Sequence, residues 1–188
     1  MASFVGLDVS LEETSVCVVD GDGCVVWRGK VTSEPKAIAK VLAKHAADAE
    51  RVGLESGALS TWLWHELKRL SLPIVCLDAR QVKAALMLQL NKTAANDALG
   101  LAQIVRTGWF REVQVKSMDA YALGAQVRIR ARLVGLQLDL ANQIRDILKT
   151  FGVWVSPARG QRFDRRLLAA LEDHDQLLTL VRPLLETW

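Results

Sequence analysis

Apolar and polar positions fall first into three short runs, then into alternating runs, and finally into one long helical stretch. The first run, Phe4-Val5-Gly6-Leu7-Asp8-Val9-Ser10, is apolar almost throughout and is interrupted by one carboxylate. That pattern predicts a strand buried on both faces. Side chains alternate along a strand, so Asp8 shares a face with Gly6 and Phe4. Leu11-Glu12-Glu13 makes a polar turn, and residues 14–20 a second strand. Gly21-Asp22-Gly23 is a hairpin turn in which glycine supplies positive φ, and residues 24–30 form the third strand.

The spacing then lengthens. Thr32 or Ser33 caps a helix over 34–48, with Pro35 near its start and Ile38, Val41, Leu42 and Ala46 at helical spacing. Residues 51–55 are a short strand ending in Glu55, and a helix runs from Ser60 or Thr61 to about Leu70. Residues 73–78 are another buried strand, residues 79–90 are helical, and a further helix runs from Ala94 to about Val105 and stops at Gly108. Three strands followed by helix, strand, helix and strand predict an α/β fold built on a mixed sheet with flanking helices.

The character changes near Lys116. From Ser117 to Phe151 only Gly124 and Gly135 weaken a continuous helix. Ile129, Leu133, Leu136, Leu140, Ile144, Ile147 and Phe151 step by fours and threes, the narrow apolar seam of a coiled coil. A loop through Gly152 and Pro157 to Gly160 leads to a second helix carrying Phe163, Leu167, Leu168, Leu171, Leu178, Val181 and Leu185. The pair predicts an antiparallel helical hairpin or a homodimer or higher assembly through residues 116–188; a plain helical subdomain fits the periodicity equally well. The expected division is a domain over 1–115 and a helical segment over 116–188.

Composition narrows the class only a little. At 188 residues, 51% hydrophobic and 24% charged, the chain is ordinary for a globular protein. A net charge of +3 is too small to identify a nucleic-acid binder, so only its placement is informative. Cys17, Cys24 and Cys76 are odd in number and lack a C-x-x-C pair, which argues against a disulfide framework or a zinc site and for buried thiols in a reducing cytoplasm. No signal peptide and no bilayer-spanning run is evident, so the expectation is a cytoplasmic protein with no membrane partner.

Candidate chemistry rests on acids. Asp8 lies in the first strand, Glu55 ends the fourth, and Asp97 lies one turn into the helix after the fifth. Strand one beside strand four, with a helix crossing their ends, converges them. An ionised carboxylate in a buried strand is costly unless it is paired or holds a metal, and clustered carboxylates suit Mg²⁺. The bland alternatives are a turn-capping Asp8, a solvated Glu55 and an Asp97 placed by the helix dipole. Together, on a β-meander followed by alternating β and α, the three suggest a ribonuclease H-like fold.

The stretches FVGLDVSLEETSVCVVD, VGLESGALSTWLWHEL, CLDARQVKAALMLQLNKTAANDALGLAQIVRTGWF and VKSMDAYALGAQVRIRARLVGLQLDLANQIRDILKTFG resemble the DEDD transposases, the bridge-RNA-guided insertion-sequence recombinases related to the pilin-gene invertase. The resemblance covers nearly the whole chain. It implies a RuvC-like domain followed by a coiled coil, four Mg²⁺-binding acids, and DNA and structured guide RNA as partners. The four acids match Asp8, Glu55, Ala94 and Asp97. The family reads Lys-Thr-Asp-x-x-Asp where this chain reads Lys92-Thr93-Ala94-Ala95-Asn96-Asp97. Ala94 offers no oxygen, so Mg²⁺ binding by Asp8, Glu55 and Asp97 is expected to be weak and strand cleavage slight or absent. Leu99 also stands where a polar residue is frequent. Family members continue into a domain with a catalytic serine, for which no serine here can be assigned. The expectation is therefore a truncated chain or a natural, domesticated remnant. In the second reading it is a non-catalytic nucleic-acid-binding or dimerisation module. Ala94 fits engineered inactivation or natural decay, with Leu99 favouring decay.

Cations load the second half. Lys92, Arg106, Arg111, Lys116, Arg128, Arg130, Arg132, Arg145 and Lys149 are the candidate nucleic-acid contacts, and Arg159, Arg162, Arg165 and Arg166 extend the run. Such a face supplies salt-dependent phosphate contacts; a solvated helix face is the ordinary alternative. His45, His65 and His174 have no metal-ligand spacing and read as surface or interface residues.

Overall fold

The computed structural model describes residues 2–87, 93–158 and 160–188. The first strands form because β-branched runs alternate with tight polar turns. β1 (Ser3–Val9), β2 (Glu13–Asp20) and β3 (Val25–Thr32) make an antiparallel meander. β4 (Ala49–Glu55) then pairs parallel with β1, and β5 (Ile74–Leu77) parallel with β4. The resulting five-stranded order is β3-β2-β1-β4-β5. This is a mixed sheet with helices to flank it, as the order of the elements predicts. Ser10 and Ser33 tie the open end of the meander. The Ser10 hydroxyl donates to the Glu13 carbonyl at 2.5 Å, and that of Ser33 to the Ser10 carbonyl at 2.7 Å.

Helices cover both faces. α1 (Pro35–His45) and α2 (Ser60–Arg69) close one core with Val5, Leu7, Val52, Leu54 and Ile74 of the sheet. α3 (Ala79–Leu86) begins at Asp78, whose carboxylate accepts from the N–H groups of Arg80 and Gln81, and α4 (Ala94–Thr107) ends at Gly108 with φ +71°. These two cover the other face, where Phe4, Cys17, Val19 and Leu77 meet Val82, Ala98, Leu101, Ala102 and Val105.

α4 seats on the sheet unusually closely. A Cβ added at Gly6 would lie 2.1 Å from the Ala98 carbonyl oxygen and 2.4 Å from the Ala102 nitrogen. Both are helix backbone atoms, so no rotamer change relieves the clash. Glycine is required here because the two backbones touch.

Contacts divide the chain into two compact units, Met1–Met118 and Asp119–Trp188. In the second unit α5 (Met118–Thr150) is a single helix, as its apolar steps predict. The expected second helix is two, α6 (Gln161–Ala170) and α7 (Asp175–Thr187). The break falls at Glu172-Asp173-His174, because acids are favoured at a helix start, and Asp175 opens α7. Ala141, Ile144 and Leu148 of α5 pack with Phe163, Leu167, Leu171 and Val181. The first half of the seam is uncovered: Ile129 is 59% and Leu133 58% exposed. Cys17 and Cys76 are buried as expected, but Cys24, beside the hairpin turn, is exposed.

Two outcomes follow from this packing. Gly6→Ala forces α4 off β1 and should lower unfolding stability by about 1–3 kcal/mol in urea titration, with native-like secondary structure retained. The Cys76 thiol is pushed up to about 11 from its ordinary 9.0, first by burial and then by the Glu112 carboxylate. The unfolded chain ionises this thiol first, so the stability from keeping it neutral is full below 9.0 and is lost as pH rises towards 11. Urea midpoints should fall between those two values, and Cys76→Ala should fall less.

Candidate functional site

Asp8 and Glu55 become neighbours because β1 and β4 run parallel. Their register pairs Gly6 with Gly53 and Leu7 with Leu54, so the next residues along are Asp8 and Glu55, side by side at the carboxyl ends. Gly6 and Gly53 both face α4, and strand alternation puts Asp8 and Glu55 on that same side. Both acids are half-buried. The chain after Glu55 is pinned: the Ser56 N–H donates to the Leu77 carbonyl at 2.9 Å, and the Ser56 hydroxyl accepts from the Ala79 N–H at 3.1 Å.

α4 brings the third acid. Its middle lies over Gly6, while its far end reaches the β2–β3 hairpin at the opposite edge. There the Gln103 amide donates to the Gly23 carbonyl at 2.7 Å and the Arg106 Nη1 to the Gly21 carbonyl at 3.1 Å. Its first turn therefore points to the edge that holds Asp8 and Glu55. Thr93 caps that turn, its hydroxyl accepting from the Asn96 N–H at 3.2 Å. Ala94 is then the first helical residue and exposed, and Asp97 is half-buried one turn on. Positions 94 and 97 share a helix face, so a carboxylate at 94 would stand beside Asp97.

The arrangement gathers acids at one edge without closing a metal site. Among the described residues no three His, Cys, Asp or Glu side chains come together closely enough to hold a metal ion. Ala94 supplies only a methyl group. The residues as they stand do not make the four-carboxylate set that the resemblance implies, and no chemical step is derived through a metal.

The transposase family of the DEDD type, IS110, matches residues 5–152, which takes in Asp8, Glu55 and Asp97. The chain belongs to this transposase family. It is 26% identical over 159 residues to the transposase for insertion sequence element IS1111A of Coxiella burnetii (strain RSA 493 / Nine Mile phase I), an alignment covering 84% of this chain and 41% of that protein. The chain thus spans about two-fifths of that relative's length. Two RuvC structures from Thermus thermophilus are similar. The one in complex with Holliday junction substrate has TM-score 0.44 and 14% identity, covering 60% of this chain and 100% of that chain. The other has TM-score 0.42 and 16% identity, covering 59% and 99%.

The candidate cations of this transposase chain differ in their surroundings. Arg106 is engaged with the hairpin carbonyl and, through Nε, with Gln103 at 2.8 Å. Arg111 and Lys116 are exposed on the segment that follows α4. The main chain of that segment is held by Gln81 at Arg111 and by the His65 ring at the Lys116 carbonyl, 2.7 and 2.9 Å away. Arg128 and Arg132 lie one turn apart on α5, whereas Arg130 sits on the other side and lines an apolar groove with Ile129 and Leu133. Arg145 donates to the Asn142 side chain, and Lys149 pairs with Asp146 at 2.7 Å, which holds the Asp146 carboxyl below its usual range. Lys92 lies outside the described residues. His45 stacks on Trp27 with ring centroids 4.3 Å apart, and His174 caps α7, both structural roles.

Two positioning residues carried no sequence signal. Arg51 Nη1 donates to the Val105 carbonyl at 3.1 Å, and Gln103 ties α4 to the hairpin. Together with Arg106 they fix the helix end remote from the acids. No described helix is long and apolar enough to cross a membrane.

Proposed function

We propose that this chain is the RuvC-like part of a DNA transposase that binds DNA and a structured guide RNA. Asp8, Glu55 and Asp97 form its acidic site, a weak Mg²⁺ site because Ala94 replaces a ligand. The observation that carries the reading is the placement of Asp8 beside Glu55 at the carboxyl ends of β1 and β4, on the side of the sheet that α4 covers, inside the span matched by the family. A transposase acting on an insertion element must hold DNA, and Arg111, Lys116, Arg128 and Arg132 are exposed cations suited to its phosphates.

A second reading takes the chain as a non-catalytic nucleic-acid-binding and assembly module. Ala94 favours it, as does the open apolar stretch of α5, where a groove of about 640 Å³ is lined by Ile129, Leu133, Leu136 and Leu140. In this reading residues 116–188 pair with a second copy through that seam, giving a homodimer or higher assembly.

Binding to duplex DNA and to structured RNA across a salt series, with and without Mg²⁺, tests the first reading. Affinity should fall linearly on a log–log plot, and absence of binding at low salt would overturn both readings. By calorimetry, Ala94→Asp should tighten Mg²⁺ binding about tenfold or more; an unchanged isotherm would show that Asp8, Glu55 and Asp97 are not the ligands.

Light scattering tests the seam. The chain should run above monomer mass, and Ile129→Asp with Leu133→Asp should return it to monomer.

A further inference from the structure

Outside the acidic edge, the most unusual charge arrangement is on α6. Pro157, Ala158, Gln161, Arg162, Arg165 and Arg166 line a pocket of about 540 Å³, with no carboxylate in the lining among the described residues. The three arginines are exposed and share one helix face at positions i, i+3 and i+4, while Phe163 and Leu167 are buried on the other side. Like charges at that spacing repel, and the first turn of a helix is already its positive end. Gly160 caps α6 without a side-chain hydrogen bond, so nothing on the cap relieves the field. The acid of that turn, Asp164, lies off this face. The arrangement costs stability in the free chain, and an anion in the pocket offsets that cost.

Two further observations sit on the same loop. Pro157 and Ala158 also wall a second pocket, of about 310 Å³, that contains Asn142 and Arg145. The Arg145 Nε is buried there and has no hydrogen-bond partner among the described residues. Trp154 lies between the buried Val153 and Val155 and is turned out, 81% exposed. It is three residues from Pro157, within about 11 Å along an extended chain. An exposed aromatic within three residues of the wall of a cationic pocket suits an unpaired nucleic-acid strand, phosphate on the cations and base on the ring. A base within a duplex presents no free face to the ring.

We infer that the α6 pocket takes a backbone phosphate of an unpaired nucleic-acid strand, and that an adjacent base stacks on Trp154. This rests on the nucleic-acid-binding reading above and adds to it a site and a strand form. Arg162 supplies its guanidinium donors and Arg165 its two Nη groups, the Arg165 Nε donating to the Gln161 carbonyl at 3.4 Å. Arg166 donates to the Pro157 carbonyl at 2.7 Å and also holds the loop.

The test is fluorescence anisotropy of short labelled oligothymidine, oligouridine and a matching duplex across a salt series. The wild-type chain should bind the single strands more tightly than the duplex. Arg162→Gln with Arg165→Gln, leaving Arg166 in place, should reduce the single-strand salt slope by about 1.4, and the double Lys variant should restore it. Trp154→Ala should weaken single-strand binding about tenfold at an unchanged slope. Circular dichroism confirms that each variant is folded. An unchanged slope in the folded Gln variant, with wild-type binding intact, overturns the pocket and leaves the proposed function standing. An unchanged affinity in Trp154→Ala overturns the stacking, and preference for the duplex overturns the strand form. If the wild-type chain binds no probe at low salt, both this inference and the proposed function fail. The thymidine and uridine arms distinguish a DNA from an RNA source.

Discussion

The contact between Gly6 and the backbone of α4 is the constraint on which the acidic edge depends. Two main chains lie so close that a single methyl group on the strand would overlap the Ala98 carbonyl. Because the helix is seated there, its first turn stays level with the carboxyl ends of β1 and β4. The parallel register does the rest by placing Asp8 and Glu55 abreast. A small residue and a strand pairing thus place two acids abreast and seat the helix that carries Asp97.

Much of this was legible in the chain. The meander follows from β-branched runs separated by Gly21-Asp22-Gly23, and α4 follows from Thr93 at its start and Gly108 at its end, all local signals. The placement of Asp8 beside Glu55 follows from the parallel pairing of β1 with β4, which element order allows once the sheet is known to be mixed. What was not legible depends on distant neighbours. Arg106 reads as a free cation until the hairpin folds against it, and Cys24 reads as buried until the hairpin leaves it outside. The regular seam of α5 is satisfied by Phe163 and its neighbours along its last third alone. The division of the last helical run into α6 and α7 turns on acids whose preference for helix starts outweighs a continuing apolar period.

Two cations around the sheet hold elements together: Arg51 and Arg106 both spend donors on backbone carbonyls. On α6 and the first half of α5 cations are left outward, and on α6 they are stacked against the preference of the helix itself. Cations grouped at a cost to the helix that bears them are the observation from which the α6 inference starts.

The seating of α4 also has a mechanical side. The helix rests on Gly6 of β1 and, one turn further, on Gly53 of β4, where a Cβ would meet Val105. A rod resting on two points, with its far end tethered to the hairpin, is braced against pivoting. The turn that bears Asp97 precedes the first support, and it is the part of the helix that can wind or unwind without a shift of the sheet.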